Sequence, residues 1–518
     1  MSDRTEFSAQ TARRLKRLGE QYRRRHHTEL DDFLGGPALK EECGVFGIIG
    51  TPDAGALTAL GIHALQHRGQ EAAGIASFDF DNKVFHNERH LGLVADHFSD
   101  AHTLGALTGA AAIGHTRYST QGDTVLRNVQ PLYADLDKFG IAVAHNGNLT
   151  NSLKLRSDLV QRGCIFQSTS DSELFLQLTA RSHQLSIVDK LIDALKQVEG
   201  AYALTVLTPF GLIGARDPVG IRPLILGELN GAAILASETC ALDLIGAKFI
   251  RDIDPGEVVI CKPDGEIESR QAFPKPARAR PCIFELIYFA RPNSFIDGKS
   301  VYEIRKRLGA QLAKESPVEA DLVSPIPDSG VPAAIGFAQE SGIPYEMALI
   351  RSHFVGRTFI EPQQKIREAG VARKHSPNRG AIEGKRVVLI DDSIVRGTTS
   401  RKITEMLRHA GAKEVHLRVA CPEIKHPDFY GINTPSYEEL FASTRDLDQM
   451  RKEIGVDSLA FLQVSGLYEA IERRPRDAAA PAYTDHCFTG EYPTRLVDRD
   501  EAKRNAMITQ LSFLAESS

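Results

Sequence analysis

The sequence predicts a protein of mixed α/β and α+β class, built as two consecutive domains, and three observations carry that expectation. Its 518 residues are well beyond the length at which a single hydrophobic core stops growing. From Cys43 to about residue 275 short apolar β-runs dominate, with a few helical stretches between them, which implies stacked sheets held between helical layers. After "RPCIFELIYFARPNS" helices and strands alternate, the pattern of a parallel sheet covered by helices.

In chain order, residues 1–42 come first and differ from the rest. "TARRLKRLGEQYRRRHHTELDDF" is highly charged and suits a surface helix, and "GGPALKEE" follows as a flexible joint. An organellar transit peptide is arginine-rich but poor in acids, whereas this segment holds Asp3, Glu6, Glu20, Glu29, Asp31 and Asp32. A removable leader and a plain tail both stay open. "CGVFGIIG", "AAGIASFDF", "AAIGHTRYST", "FGIAVAHNGNLT", "AYALTVLT", "FGLIGARD", "AAILASE" and "EVVICK" read as strands, apolar with glycine or polar breaks. "DSELFLQLTARS" and "SIVDKLIDALKQV" repeat apolar residues at helical spacing. Beyond a boundary near residue 280, helix "SVYEIRKRLGAQLAKES" leads to strand "ADLVSPIPDSG", helix "VPAAIGFAQESG" and a short strand "YEMALIRS". "GKRVVLIDDSIVRGTTSRKITEMLRHAGAKEVHLRVAC" then reads as strand, loop, helix, strand. No internal repeat interrupts this order.

Composition narrows the function classes. Hydrophobic residues at 42% and charged residues at 25% are those of a soluble globular protein. No apolar run approaches the ~20 residues of a membrane span, so no membrane partner is expected. A net charge of -5 gives no reason to expect nucleic-acid binding. The seven cysteines are scattered and lack a C-x-x-C pair, which argues for a reducing, cytoplasmic setting.

Within "KEECGVFGIIG", Cys43 is either a buried strand thiol or a nucleophile. A thiol attacks a carbonyl as thiolate or with a base beside it. Cutting the chain after Glu42 would free the α-amine of Cys43, with a reference pKa near ~8, to act as that base. "AHNGNLTN" supplies Asn146 and Gly147, an amide side chain and an unhindered backbone N–H of the kind that stabilises an oxyanion. "GHTRYST" supplies Arg117, whose planar fork suits a carboxylate, and "STSDSE" supplies Asp171, able to pair with an amine. As single residues these also suit an Asn-Gly turn, a surface arginine and a helix cap. Together, "CGVFGI", "LQHRGQEAAGI", "GHTRYST", "AHNGNL" and "SDSE" resemble the N-terminal-nucleophile (Ntn) glutamine amidotransferase domain, an αββα sandwich. The resemblance implies that Cys43 attacks the glutamine side-chain amide, forming a thioester and releasing ammonia. It assigns Arg117 and Asp171 to the amino-acid end of glutamine, and Asn146 and Gly147 to the oxyanion hole. Residues 1–42 would then be a propeptide.

"VVLIDDSIVRGTTS" runs from a four-residue apolar strand into Asp391 and Asp392, then into a helix with Ile403, Met406, Leu407 and Ala410 on one face. Ligands bind at the carboxyl ends of such strands, and a helix N-terminus rich in hydroxyls suits a phosphate. The spacing is not that of a Walker A loop. The stretch resembles the signature of type I phosphoribosyltransferases. That resemblance implies that Asp391 and Asp392 grip the ribose hydroxyls of phosphoribosyl pyrophosphate and its Mg²⁺. Arg396, Gly397, Thr398, Thr399 and Ser400 would hold the 5′-phosphate. "PIPDSG" would be the pyrophosphate loop, with Ser329 beside the metal and Asp328 nearby. "GRTFIEPQQKIREAGVARKH", with Arg357, Lys365, Arg367, Arg373 and Lys374, resembles the basic lid over the sugar diphosphate.

Both signatures on one chain resemble the amidophosphoribosyltransferase family. The implied layout is a leader at 1–42, an Ntn glutamine domain at 43–275, a phosphoribosyltransferase domain at 276–475, and a C-terminal extension at 476–518 packing on the body. The implied reaction turns glutamine, phosphoribosyl pyrophosphate and water into 5-phosphoribosylamine, glutamate and pyrophosphate, with ammonia channelled between the sites. Purine nucleotide inhibitors and a homotetramer are implied too. A glucosamine-6-phosphate synthase shares the front half but would not carry "DDSIVRGTTS". A sensor of nucleotides or of the sugar diphosphate would not need Cys43, Arg117, Asn146 and Asp171.

One branch of this family holds a [4Fe–4S] cluster on four cysteines. Here Cys282 stands where the first ligand belongs, Asp428 replaces the second, and the C-x-x-C expected before "CFTGEYPT" is missing, leaving Cys487. A carboxylate is a poor substitute for thiolate in a sulfide cluster, so no iron–sulfur cluster is expected and Cys282 should be a plain buried thiol. Packing or polar contacts must then tie the C-terminal segment to the body.

Overall fold

Thirteen strands of the N-terminal half form two antiparallel sheets in this computed structural model, which describes residues 43–118, 125–274, 279–352, 375–432 and 436–500. The strands are β1 Gly44–Ile49, β2 Ala72–Asp79, β3 Val84–Leu91, β4 Ala111–Arg117, β5 Leu132–Asp135, β6 Gly140–Leu149 and β7 Gly200–Thr208. They continue with β8 Gly211–Arg216, β9 Ile225–Leu229, β10 Ala232–Ala236, β11 Lys248–Asp252, β12 Glu257–Cys261 and β13 Ile267–Gln271. One sheet has the order β11-β9-β10-β1-β4-β2-β3 and the other β13-β12-β8-β7-β6-β5.

The period-2 alternation of a strand sorts its side chains into layers. Val45 and Ile49 of β1, Ile113 of β4, and Ala142 and Ala144 of β6 meet in the core between the sheets. On the opposite faces, Phe46 and Ile48 pack under helix α1 (Ala54–Ala64) with Ile62 and Leu65. Ile141 and Val143 pack with Phe175 of α2 (Glu173–Arg181) and Leu191 of α3 (Ile187–Leu195). The result is the expected helix–sheet–sheet–helix sandwich. Each such fully buried large side chain stabilises the fold by about 1.5–3 kcal/mol.

Three later stretches count with this unit: it comprises the described residues of 39–308, 424–437 and 463–518. Residues 279–308 thus count with the strands that precede them. The physical reason is a buried charge cluster. Glu285 is fully buried and takes its cations from the front of the chain: Arg68 Nη1 donates to it at 3.2 Å and Arg222 Nη1 lies at 3.5 Å. Breaking such a pair would strand a charge in the core. Arg222 also donates to the Tyr430 carbonyl at 2.9 and 3.0 Å.

The C-terminal segment is stitched down by polar contacts. Thr484 N donates to Pro281 O at 2.9 Å and Ile283 N to Thr484 O at 3.2 Å. Asp498 accepts from the N-terminal amides of helix Ser152–Gln161, Leu153 N at 2.8 Å and Lys154 N at 3.1 Å. A carboxylate at a helix N-terminus both satisfies orphan donors and opposes the helix dipole.

The second unit comprises Gly309–Glu423 and Glu438–Leu462 in its described residues. Its sheet holds β14 Leu322–Pro325, β15 Arg386–Asp391, β16 Glu414–Val419 and β17 Ser458–Phe461, in that order and all parallel. Val387, Val388, Leu389 and Ile390 are all fully buried, as a central parallel strand requires. Helix α4 (Thr398–His409) turns Ile403 and Leu407 onto the core, with Ala410 just beyond its end. Among the described residues no helix is long and apolar enough to cross a membrane.

Candidate active sites

Strand parity gathers the residues of the first constellation. Cys43 shares its side of the strand with Val45 and Ile49, Arg117 with Ile113, and Asn146 with Ala142 and Ala144, all on the faces that meet between the two sheets. Gly44 pairs with Thr116, so Cys43 arrives opposite Arg117. A hydrogen bond of 3.1 Å from His115 Nε2 to His145 O ties β4 to β6 at the same level. All four side chains are buried: Cys43 is 7% exposed, Arg117 3%, Asn146 0% and Asp171 7%.

The polar chemistry there is poised for a ligand. Both the Nδ2 and Oδ1 atoms of Asn146 are buried without a partner among the described residues. A buried carboxamide left unpaired costs about 1–3 kcal/mol for each missing bond, and a bound oxyanion accepting from Nδ2 would recover the donor's share. Gly147 has φ +139, and any Cβ there would run into the Ala201 carbonyl, so its N–H sits on a backbone only glycine adopts. Asp171 Oδ2 accepts from Leu149 N at 3.0 Å, which fixes the carboxylate beside the end of β6. The Cys43 thiol donates to the Tyr118 carbonyl at 3.5 Å. Burial pushes that thiol up, opposed by the Arg117 guanidinium, so a base must take its proton.

Several supporting residues were not singled out from sequence. His145 N donates to Gln130 Oε1 at 2.7 Å, Gln130 Nε2 donates to Ser172 Oγ at 2.9 Å, and Ser172 Oγ lies 3.1 Å from His145 Nδ1. This network locks the strand on either side of Asn146. Burial lowers both histidines, His115 to about 3, so they are neutral orienting groups at physiological pH. "SDSE" and "AHNG" contain Ser172 and His145, but Gln130 had no motif to mark it.

The second constellation lies at the carboxyl end of the parallel sheet. Asp391 ends β15 and Asp392 follows; they are 8% and 5% exposed. Burial first, then the neighbouring Asp392 charge, push the Asp391 carboxyl well up. Gly397, at φ +75, makes the left-handed turn into α4, and Thr398 Oγ1 there is buried without a partner among the described residues. Thr399 and Ser400 continue the first turn, and Arg396 beside it pairs with Glu439 at 3.1 Å. Pro325 pairs with Ile390 and Ile326 N donates to Ile390 O at 2.8 Å, which brings the "PIPDSG" loop against the acid pair. In that loop Ser329 is half-buried, while Asp328 is exposed and paired with Arg351, an arginine not picked out from sequence. Arg357 and Lys374 lie outside the described residues.

Two groups implied by resemblance can be tested against these residues. Adjacent buried carboxylates, one of them pushed toward protonation, offer the hard oxygen donors that Mg²⁺ takes. At the other position Cys282 and Cys487 supply two thiols beside Asp428 and His486, which does not fit a [4Fe–4S] cluster.

A buried cysteine facing an empty-handed carboxamide, and an acid pair leading into a hydroxyl-rich helix start, define a glutamine amidotransferase joined to a phosphoribosyltransferase. Family comparison agrees: residues 115–244 match the glutamine amidotransferase domain and residues 296–429 the phosphoribosyl transferase domain. The amidophosphoribosyltransferase of Rhizobium etli is 59% identical over 95% of this chain and 99% of its own. That of Bacillus subtilis is 47% identical over 88% of this chain and 95% of its own. A solved glutamine phosphoribosylpyrophosphate amidotransferase from B. subtilis, complexed with ADP and GMP, superposes with a TM-score of 0.82 at 46% identity, covering 88% of this chain and 98% of that one. The chain belongs to the amidophosphoribosyltransferase family.

Proposed function

We propose that the chain converts glutamine, phosphoribosyl pyrophosphate and water into 5-phosphoribosylamine, glutamate and pyrophosphate, the opening step of purine synthesis. The observation that carries the first half is the Asn146 carboxamide, buried without a partner among the described residues, on the inner face of the sheet opposite the one that presents Cys43 and Arg117. Arg117 and Asp171 hold the α-carboxylate and α-amine of glutamine. Cys43 attacks its side-chain carbonyl, and Asn146 with the Gly147 N–H receives the oxyanion. Collapse of that tetrahedral intermediate breaks the C–N bond, expels ammonia and leaves the thioester, which water then hydrolyses to free glutamate. Ammonia escaping into water would become ammonium and lose its nucleophilic lone pair, so it must reach the sugar without equilibrating with solvent.

At the second site the acid pair grips the ribose hydroxyls, and Arg396 to Ser400 hold the 5′-phosphate. Asp391 and Asp392, with Ser329, would hold Mg²⁺, which when bound would supply positive charge for the departing pyrophosphate. Asp328, and the basic Arg357 and Lys374, complete the diphosphate contacts.

The leader 1–42 is a propeptide in this reading, because a free α-amine on Cys43 is the base that its buried thiol needs. Intact-mass measurement of the active protein is expected to show a chain that starts at Cys43; full activity with the leader attached would refute this. Purine nucleotides as inhibitors are supported by the ADP and GMP of the B. subtilis complex. A homotetramer and a cytoplasmic location complete the proposal, the latter supported by seven cysteines that are all free thiols.

The deciding experiment measures glutamate and pyrophosphate together. Wild type should form them in equal amounts only when both substrates are present. Asn146→Ala should lose about 10²–10³-fold in the glutamine-dependent rate, with the ammonia-dependent rate retained. Glutamate formed without pyrophosphate under any condition would identify a different amidotransferase.

A further inference from the structure

Outside both sites, three ligand-type side chains of different chemistry converge in the core of the first unit. Asp428 Oδ2 lies 2.8 Å from His486 Nε2, and His486 Nε2 lies 3.4 Å from Cys487 Sγ. The three ligand atoms all lie within 4.8 Å of one another, and the residues are 8%, 1% and 1% exposed. Neither proposed half-reaction uses them.

The carboxylate is oriented from behind. Asp428 Oδ1 accepts from Tyr430 N at 2.7 Å and Ile432 N at 2.8 Å, which turns Oδ2 toward the imidazole. The rings of Tyr430 and Tyr492 flank His486 at 5.2 and 4.8 Å and close the site to water. Burial first, then the Asp428 and Cys282 charges, push the Cys487 thiol well up, opposed by the Arg222 guanidinium. Cys282, 2% exposed, is in electrostatic reach of both Asp428 and Cys487.

We infer that Asp428, His486 and Cys487 form a site for a single zinc ion, a structural clamp between the 424–437 stretch and the C-terminal segment. One carboxylate oxygen, one imidazole nitrogen and one thiolate make the mixed, borderline-soft set that suits zinc and is poor for Mg²⁺. Tetrahedral zinc with ordinary bond lengths needs ligand atoms roughly 3.3–3.7 Å apart; the His–Cys edge of 3.4 Å already fits, and the Asp–His edge of 2.8 Å must open. On binding, the Cys487 S–H bond breaks, its proton leaves to solvent, and the sulfur lone pair forms the metal bond. The carboxylate and the neutral imidazole donate without further change. The fourth position falls to Cys282 or a water. The ion holds together segments already bridged by Lys425 N and His426 N donating to Cys487 O at 2.9 and 3.1 Å.

The test uses untagged full-length protein, freed of loosely held metal by brief exposure to a weak chelator. Elemental analysis should find about one zinc per chain and no stoichiometric iron or sulfide. Protein grown with cobalt should show tetrahedral d–d bands and a thiolate-to-cobalt band in the near ultraviolet. Cys487→Ser combined with Cys282→Ser should lose the thiolate band, and His486→Ala should lose the metal. Folded wild type that retains no zinc and gives no thiolate–cobalt band would overturn the inference, leaving the trio an ion pair with a neighbouring thiol. Stoichiometric iron with sulfide would overturn it as well. Both wild-type measurements decide the matter even where a variant fails to fold.

Discussion

Cys43→Ser is expected to abolish glutamine-dependent synthesis, by roughly 10³-fold or more, while synthesis from added ammonia at alkaline pH continues. The substitution keeps size and position, and Cys43 is 7% exposed at the mouth of β1, so the fold should not change. What changes is the nucleophile. A thiol can be ionised by a modest base, whereas a serine hydroxyl cannot be to any useful extent. Ammonia-dependent synthesis needs only the acid pair and the phosphate-binding turn, which belong to the other compact unit of the chain. Steady-state rates with each nitrogen source check this. A folded variant that has lost both activities would show that the two sites are not separable in the way proposed.

Asp391→Asn combined with Asp392→Asn is expected to remove phosphoribosyl transfer from either nitrogen source, by roughly 10³-fold, with the fold intact. An amide cannot carry the negative charge that grips a divalent cation. The sign of the stability effect can also be worked out. Burial, and then the Asp392 charge, raise the Asp391 carboxyl above its unfolded value. The folded chain therefore binds the proton more tightly than the unfolded chain, and stability falls as pH rises through that interval. At neutral pH without Mg²⁺ the buried Asp391 carboxyl costs the fold stability, so the double variant should melt at the same temperature as wild type or higher. Calorimetry with and without Mg²⁺ checks it: the cation should raise the melting temperature of wild type and leave the variant unmoved. Normal turnover by the variant would refute the assignment.

The strands that could be read from sequence and those that could not differ in position. β1, β2, β4, β6, β7, β8, β10 and β12, all marked in advance by apolar runs, lie inside their sheets. The edge strands β3, β5, β11 and β13, and β9 beside an edge, carried no such mark. β3 reads "VFHNERHL" and β13 "IESRQ", with every residue of both at least partly exposed. An edge strand faces solvent on one side and at one flank, so selection for apolar residues is weak there and the signal disappears. That residues 279–308 count with the strands before them was hidden for a related reason. Glu285 looks like one more charged residue in "ELIYF" until its partners Arg68 and Arg222, far away in sequence, are seen beside it.

The sequence by itself pointed to the chemistry: Cys43, Asn146, Gly147, Asp391 and Asp392 stood out because the motifs that hold them, taken together, resemble those of two known families. Tertiary structure alone decided their company. It set Asn146 on the sheet face opposite that of Cys43 and Arg117, placed Gln130 and Ser172 behind His145, and drew Asp428 to His486 and Cys487. Strand parity and helix period act over a few residues, and a sequence displays them directly. Which buried polar group meets which depends on how sheets and distant segments pack, and the need to pair every buried charge is felt only once the chain has closed around it.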